Sequence, residues 1–241
     1  LSRGEYPYPP SLEEILPNMS LYATESLGII QIPSERMIGT STSARKTAFA
    51  PNFMPLLPPD TEFASKWIDL CRAHEAEGIR DPVAAYEYMN HYYVTEGNKR
   101  VSVLKYFNDP VIMGSVTRLL PPKDDSPENR MYYEYLDFYK VSGANYMTLG
   151  RPGDYALLLA RMGKAPGEPW SDDDRLDFRA FYLRFQEAFY GLGGRKLPIT
   201  TGDAILVYLK IYTDYHTARD KMPVELRAEL GRIWDDVLLR C

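Results

Sequence analysis

The sequence has few of the residues that build disulfide frameworks and metal sites. Its 241 residues include two cysteines and three histidines. Cys71 lies within a helical pattern and Cys241 is the last residue, so no disulfide framework is predicted and a reducing, cytoplasmic location is expected. The three histidines, at positions 74, 91 and 216, have no partner at metal-ligand spacing. No metal site is therefore predicted.

Long apolar runs and an excess of positive charge are also lacking. The runs "AILVYL" and "LGIIQI" are far shorter than the roughly 18 residues that span a bilayer, so no membrane segment is predicted. The net charge is −5. Because phosphate contacts supply most of the affinity for nucleic acid, no specific binding to duplex DNA is expected. The chain begins with Leu1 rather than methionine, which is compatible with a piece excised from a longer protein.

The sequence does contain the mixture of residues that is typical of a globular protein, with 45% hydrophobic and 25% charged residues. A Pro-rich lead segment covers residues 1–25, and the region 39–59, with four prolines and no period, is predicted to be a long surface loop. Asp60 is predicted to cap a helix that Gly78 ends. The expected order is a strand at 27–33, the loop, a helix at 60–77, a hairpin at 82–96, a helix at 98–107 and a strand with a glycine irregularity at 111–121.

The stretch "PPKDDSPEN" is a Pro-rich, charged break and the best candidate for a domain boundary. Beyond it the pattern is mostly helical, with helices expected to begin at Ser126-Pro127 and after Ser171, and others at 154–162, 201–212 and 223–239. The Tyr-rich segment "MYYEYLDFY" has acidic rather than basic neighbours, so a core face or a protein partner is favoured over nucleic acid. The predicted fold class is α+β, with a small mixed-sheet domain at 26–121 and a mainly α-helical domain at 122–241 packed on it.

The stretch "VTEGNKRVSVL" is the most informative one for function. A strand delivers Glu96, and Gly97 permits a positive φ without a side chain in the way. The amides of Asn98, Lys99 and Arg100 then become the unpaired N–H groups of a helix N-terminus, which favours an anion. The alternative from the pattern alone is an ordinary strand-to-helix turn whose cations face water, or an Arg100 that pairs internally with Glu96 or Glu87. Val101, Leu104 and Phe107 are expected to anchor the helix in the core.

Several stretches together resemble the ParB/sulfiredoxin superfamily over about residues 26–121. "VTEGNKRVSVLKYF" resembles its Gly-x-x-Arg segment, "IIQIPSERMIGT" its opening strand, and "EFASKWIDLCRAHEAEGIRDPVAAYE" its helix followed by a strand. Members include CTP-binding partition proteins, sulfiredoxins and free-serine kinases. The resemblance implies a small nucleotide-binding fold in a bacterial protein, with Gly97 forming the turn, the amides near Asn98 and Lys99 meeting phosphate, and Arg100 supplying a bidentate charge.

The resemblance also implies roles for acidic and loop residues. Glu96 occupies the acidic position of kinase-like members, where it is a weak candidate for catalysis or for holding Mg²⁺ with a nucleotide. Arg45 lies roughly where the family keeps an arginine, and Arg45 and Lys46 are candidate loop contacts. From the residues alone, the segment "TSTSARK" is equally compatible with a loop that closes over a nucleotide and with a solvated linker.

Departures from the family narrow the functions that are expected. Sulfiredoxins carry a nucleophilic cysteine, and partition proteins a glutamate, where this chain has Asn98, so the chemistry of either group is not expected. No counterpart of the DNA-reading helices of partition proteins is evident. The whole chain also looks like the front part of longer bacterial proteins in which a solute-binding-protein-like domain follows. The expected function is the binding of a nucleotide or other phosphate ligand in a regulatory role; the alternatives are an interaction module without a ligand and, more weakly, an NTPase or phosphotransferase.

Overall fold

The computed structural model describes residues 7–212 and 214–241. The chain divides into two compact units, Leu1–Pro122 and Lys123–Cys241, and the boundary between them along the sequence falls within the Pro-rich break. The first six residues of the lead segment lie outside the described part. The fold is mixed α/β with one five-stranded mixed sheet, and the sheet belongs to the first unit.

The first unit has five strands, which are β1 (Ala23–Pro33), β2 (Met37–Thr40), β3 (Val83–Tyr88), β4 (His91–Glu96) and β5 (Val111–Leu120). They form one sheet with the strand order β1-β5-β3-β4-β2. Strands β1 and β5 pair antiparallel, as do β3 and β4, whereas β3 pairs with β5 and β2 pairs with β4 in parallel. This arrangement places β4, the strand that leads into the Gly97 turn, between β3 and β2.

The predicted hairpin is confirmed, and a two-residue turn connects its strands. Met89 and Asn90 join β3 to β4, and both have positive φ, at 51° and 66°. A two-residue connection of this kind matches the right-handed twist of the strands. The backbone N–H of Asn90 donates to the Glu87 carboxylate at 2.8 Å, which further fixes the turn.

The helices of the first unit pack near the sheet with help from polar contacts. The indole N–H of Trp67 donates to Ser102 Oγ at 2.8 Å, and that hydroxyl donates to the Phe53 carbonyl at 2.6 Å. Residues from all five strands and from the helix after Gly97 share one core, which includes Ile32, Met37, Val83, Tyr92, Val94, Val101 and Val116. The helices are α1 (Leu12–Ile15), α2 (Ser43–Lys46), α3 (Glu62–Glu77) and α4 (Asn98–Tyr106).

The lead segment is part of the first unit's packing. Leu12 and Leu16 form a second core cluster with Tyr93 and Leu119. Ser11 makes an isolated parallel bridge to Thr40. Residues before β1 therefore help to position the region that follows β2.

Four details of the sequence-based prediction are wrong. The region 39–59 is not loop throughout, because it contains the end of β2 and the short helix α2. Thr61, not Asp60, caps α3, since its side chain accepts from the Ala64 N–H at 3.2 Å. Gly114 causes no irregularity, because it is paired in register with Ile30; the bulge of this strand pair lies elsewhere, between Ser26 and Gly28 of β1.

The fourth error concerns the last predicted helix. The segment 223–239 is broken at Ile233, which has non-helical dihedral angles and whose side chain is buried. The other helices predicted after the break are confirmed within a residue or two at each end. The helices are α5 (Pro127–Ser142), α6 (Asp154–Arg161), α7 (Asp172–Gly191), α8 (Thr201–Tyr212), α9 (Tyr215–Ala218), α10 (Pro223–Arg232) and α11 (Trp234–Leu238).

Aromatic side chains build the core of the second unit. Tyr132, Tyr135 and Phe138 of α5 are buried, so the Tyr-rich segment supplies core residues, as one of its two interpretations expected. Phe138 contacts Trp170 edge to face, with ring centroids 5.6 Å apart. None of the helices in the described residues is long and apolar enough to cross a membrane.

Candidate functional site

The predicted strand–glycine–helix junction is confirmed at Gly97. Strand β4 ends at Glu96, and α4 begins at Asn98. Gly97 has φ 97° and ψ 23°, the left-handed conformation that glycine adopts at little cost. The first hydrogen bond of the helix runs from the Val101 N–H to the Gly97 carbonyl at 3.0 Å. The three preceding amides therefore have no acceptor within the helix and carry the positive end of its dipole.

Gly97 is needed for space as well as for its backbone angles. A Cβ atom at this position would lie 2.8 Å from Val83 Cγ1, which is closer than side chains pack. It would also lie 3.1 Å from Nε and Nη2 of Arg100. The turn is therefore pressed between the start of β3 and the arginine of its own helix.

The helix behind the turn is anchored as the sequence indicated, with one difference. Val101 is fully buried and Leu104 is buried. Phe107 is only half-buried and packs against the His74 ring of α3, with centroids 4.8 Å apart. His74 Nε2 also lies 3.2 Å from an Asp109 carboxylate oxygen. The turn thus rests on a helix that is held from two sides.

A cavity of about 630 Å³ adjoins the turn, and we call it the turn cavity. It lies among α2 and the residues that follow it, α3, and the start of α4. A volume of this size suits a small organic ligand. Its lining residues are Ala44, Arg45, Thr47, Ala48, Phe49, Leu57, Phe63, Leu70, Thr95, Glu96, Gly97, Asn98, Lys99 and Arg100.

The two sides of the turn cavity differ in chemistry. Arg45 and the first turn of α4 supply cations and amides, whereas Phe49, Phe63 and Leu70 supply apolar surface. None of the residues of α3 is fully buried, so its apolar face is only partly covered by the core. The ammonium of Lys99 lies 4.7 Å from the centroid of the Phe63 ring, which joins the two sides. Sequence reasoning missed the apolar side, although the helical spacing of Phe63 and Leu70 was visible.

Arg100 is held by the protein itself. Its Nη1 donates to the carbonyls of Asp81 and Pro82, at 3.0 and 2.9 Å. Its Nη2 lies 3.9 Å from a carboxylate oxygen of Glu96, and the side chain is 22% exposed. The expectation that Arg100 simply faces a phosphate is therefore incomplete, because part of the guanidinium is committed to the loop before β3.

Glu87, the other partner considered for Arg100, is paired elsewhere. Its carboxylate accepts a short hydrogen bond from Nε of Arg118, and both side chains are buried. Arg118 Nη1 also lies 3.1 Å from Glu25. The suggested Glu87–Arg100 pair is wrong, since a buried carboxylate in β3 is matched by the neighbouring strand β5 rather than by α4.

The two candidate loop contacts, Arg45 and Lys46, lie in different environments. Arg45 is exposed and lines the turn cavity. Lys46 is buried and forms a short ion pair with Glu14 of α1, so it does not line the cavity. The neighbouring Glu13 accepts from the Ser43 N–H at 2.7 Å. The lead segment thus holds α2 in place, a contact that no local pattern in the sequence indicates.

The remaining motif residues offer one acid and one amide. Glu96 lines the cavity, and its side chain is 82% exposed. Asn98 Oδ1 is buried and has no hydrogen-bond partner among the described residues. No group of three or more potential metal-binding side chains occurs in residues 7–212 and 214–241. Any cation held here would therefore depend on Glu96 and on oxygens brought by a ligand.

Comparison with protein-family models finds no match for this chain, and comparison with curated proteins finds no significant match either.

Proposed function

We propose that the first unit binds a nucleotide or another phosphate-bearing ligand in the turn cavity, in a regulatory role. The observation that carries the proposal is the position of the unpaired N-terminal amides of α4. They open onto the same cavity as Arg45, Lys99 and an apolar wall. Free amides, a helix dipole and nearby cations are the features that stabilise a phosphate.

The three cations of the turn cavity, Arg45, Lys99 and Arg100, contribute to phosphate binding in different ways. Lys99 and Arg45 come from different elements and can approach a phosphate from two sides. Nη1 of Arg100 is bound to carbonyls, which orients the guanidinium and leaves Nε and Nη2 on the side of Gly97. Arg100 then contributes charge from a fixed position, so little side-chain entropy is lost when a ligand binds.

The apolar wall favours a ligand that carries a ring as well as a phosphate. Phe49, Phe63 and Leu70 line the side of the cavity opposite the turn residues. A nucleobase or another flat apolar group can cover these side chains, whereas inorganic phosphate cannot. We therefore expect nucleotides to bind more tightly than phosphate alone.

Membership of the ParB/sulfiredoxin superfamily is part of the same proposal. Its support is the order of elements from β1 to β5 together with the strand–Gly–helix turn at Gly97. Binding of nucleotide phosphates at this turn is what the resemblance implies.

Isothermal titration calorimetry on the full chain tests the proposal. ATP, CTP, GTP and inorganic phosphate are titrated with and without Mg²⁺. The double variant Arg45→Gln/Lys99→Gln should weaken nucleotide binding roughly ten- to a hundredfold, since a hydrogen bond to a charged group contributes about 1.5–3 kcal/mol. Lys66→Gln/Arg72→Gln is the matched control, because these α3 cations are 61% and 75% exposed and do not line the cavity. It should bind like the wild type.

A non-catalytic interaction module is the second candidate, and the internal hydrogen bonds of Arg100 favour it. An arginine that closes the Asp81-Pro82 loop can be kept for the fold alone. The same titrations separate the two functions. If the wild type shows no heat with any nucleotide or with phosphate at millimolar concentration, the interaction module replaces the nucleotide site.

An NTPase or phosphotransferase is the weaker alternative. It would need a metal-holding acid, and Glu96 is the acid that the motif places at the cavity. Nucleotide hydrolysis with Mg²⁺ that is lost in Glu96→Gln, while nucleotide affinity persists, would establish this alternative in place of the regulatory role.

A further inference from the structure

A second cavity, of about 450 Å³, lies within the second unit, and we call it the α6–α8 cavity. Asp154, Leu157 and Arg161 line it from α6 at spacings of three and four, which places them on one face of that helix. One face of α8 supplies Leu206, Val207, Lys210 and Ile211 to the lining. The C-terminal segment supplies Asp236, Leu239 and Arg240, and the residues before α6 supply Arg151.

Arg240, in the C-terminal segment, contacts residues of both α6 and α8. Its Nη2 pairs with Asp154 of α6 and lies 3.0 Å from Asp203 Oδ1 of α8. Its own carbonyl accepts from Nη2 of Arg151 at 2.7 Å. Asp203 is held in turn by the backbone N–H groups of Gly150 and Thr200, at 3.1 and 3.0 Å. The cavity is therefore a built feature of the fold rather than a gap between loose segments.

The charges around the cavity do not balance. Arg240 pairs with two acids, Asp154 and Asp203. The other cations, Arg151, Arg161 and Lys210, face one further acid, Asp236, so four cations stand against three acids around the cavity. Among the described residues no ion pair joins Arg161, Lys210 or Asp236 to a partner. In a chain whose net charge is −5, this is a local surplus of positive charge. A surplus of this kind attracts an anion.

The same cavity exposes large apolar side chains. Leu157 is 57% exposed, Ile211 42% and Leu239 83%. Leu206 and Val207 are more deeply placed and form an apolar floor beside them. Single exposed aliphatic side chains scattered over a surface are common in proteins. A group of them at one concave surface indicates a binding site.

We propose that the α6–α8 cavity binds a small amphipathic anion, a hydrocarbon body that carries one carboxylate or phosphate head group. The head group pairs with Arg161 and Lys210, and the hydrocarbon covers Leu157, Ile211 and Leu239. A fully polar anion would leave the apolar floor uncovered, and an amphipathic cation would meet the surplus positive charge. The site is separate from the turn cavity, so it does not depend on the function proposed for the first unit.

Titration calorimetry on the full chain with octanoate, octyl phosphate and octylammonium tests the proposal. At least one of the two anions should bind, and comparison of their affinities identifies the preferred head group. Octylammonium has the same hydrocarbon length and should not bind. Methyl NMR should place the bound anion at Leu157, Leu206 and Ile211, where a hydrocarbon shifts the resonances of the side chains that it covers.

Two variants separate the head-group contact from the apolar contact. Arg161→Gln/Lys210→Gln should weaken anion binding at least tenfold, and Leu157→Gln should weaken it several-fold. These side chains are exposed, so the variants should fold. Arg130→Gln/Lys140→Gln removes the same charge from exposed positions of α5 outside the cavity and should leave binding unchanged.

Four results would each overturn the proposal. One is no binding of either anion at millimolar concentration. Another is equal binding of octylammonium, which would show a hydrophobic surface without charge selection. The third is unchanged anion affinity in Arg161→Gln/Lys210→Gln. The fourth is methyl shifts confined to residues outside the cavity.

Discussion

Arg100 connects the candidate site to the loop that precedes β3. Its two hydrogen bonds to the carbonyls of Asp81 and Pro82 satisfy backbone acceptors that face no strand. The same side chain covers Gly97, with Nε and Nη2 close to where a Cβ would be. A residue in this position acts on stability and on the site at once.

We therefore expect Arg100→Ala to destabilise the protein, contrary to the expectation for a solvent-facing arginine. The loss should be about 1.5–3 kcal/mol, because hydrogen bonds from a charged donor are removed. Urea unfolding measures it. Arg72→Ala is the control, since Arg72 is 75% exposed with only a 3.4 Å contact to Asp69, and it should cost less than about 1 kcal/mol. Equal stability of Arg100→Ala and the wild type would contradict a structural role.

Gly97 combines a positive φ with a lack of space, and the two effects can be measured separately. Gly28 has φ 67°, and no atom lies within 4 Å of the point where its Cβ would be, so Gly28→Ala reports the cost of the backbone angle, about 1–2 kcal/mol. Gly97→Ala adds the contact with Val83 at 2.8 Å and should cost more. Denaturant midpoints of the two variants test this. If both variants lose the same stability, the close contact has no energetic weight.

At the scale of elements, the helices α2 and α7 are stabilised in different ways. Helix α2 has four residues and is held by Glu13 and Glu14 of α1. Helix α7 has 20 residues and begins with a reciprocal capping box between Ser171 and Asp174. An isolated four-residue helix is not stable in water, so α2, which carries Arg45, depends on tertiary contacts.

Asp174 makes the start of α7 sensitive to pH. The hydrogen bond from Lys164 lowers the pKa of Asp174 from its ordinary value of 3.8 to about 2, and bonds from Ser171 add to the effect. A carboxyl group with a lowered pKa stabilises the folded state above its unfolded pKa. That contribution is lost as pH falls through the folded pKa, here between pH 3.8 and about 2.

We expect Asp174→Asn to destabilise the protein at pH 7 by roughly 0.5–1 kcal/mol, a value limited by the partial exposure of the pair. The difference from the wild type should shrink as pH falls below 3.8. Thermal unfolding between pH 7 and pH 2.5 measures it. The control is Asp173→Asn, because Asp173 lies in the same turn without the capping contacts, and this variant should lose less stability. A loss of stability in Asp174→Asn that does not change with pH would contradict the role assigned to the Asp174 carboxylate.

At the scale of the whole molecule, the net charge of −5 governs encounters with other polyanions. The cations that face cavities, such as Arg45, Lys99, Arg161 and Lys210, belong to two different units and line two separate cavities. Cations divided in this way do not provide the row of phosphate contacts that a duplex requires.

We therefore expect any binding of duplex DNA at roughly 150 mM salt to have a dissociation constant of about 1 µM or more, since non-specific binding has dissociation constants of about 1 µM or larger. A gel-shift titration with random and palindromic duplexes measures it. A steep salt dependence with sub-micromolar affinity would show that local charge outweighs the net charge in this protein.

Much of the fold could be predicted from the sequence because the signals are local. The alternation in β3 and β4 and the caps at Ser126 and Ser171 each depend on neighbours along the chain, although the hairpin turn lies at Met89 and Asn90, one residue before the predicted Asn90-His91. The Gly97 turn belongs to the same class, since a positive φ and a helix start are properties of a few consecutive residues. Thr61, which caps α3 in place of Asp60, shows that adjacent capping residues are not separated by pattern alone.

The candidate site was decided by tertiary structure, because its parts come from distant segments. The sequence by itself determined the turn and its unpaired amides. Only the packing of α1 against α2 separated Arg45, which lines the cavity, from Lys46, which is buried against Glu14. Only the approach of the loop before β3 decided where Arg100 donates its hydrogen bonds. Local angles follow from local sequence, whereas the partner of a long charged side chain depends on which segments the folded chain brings within its reach.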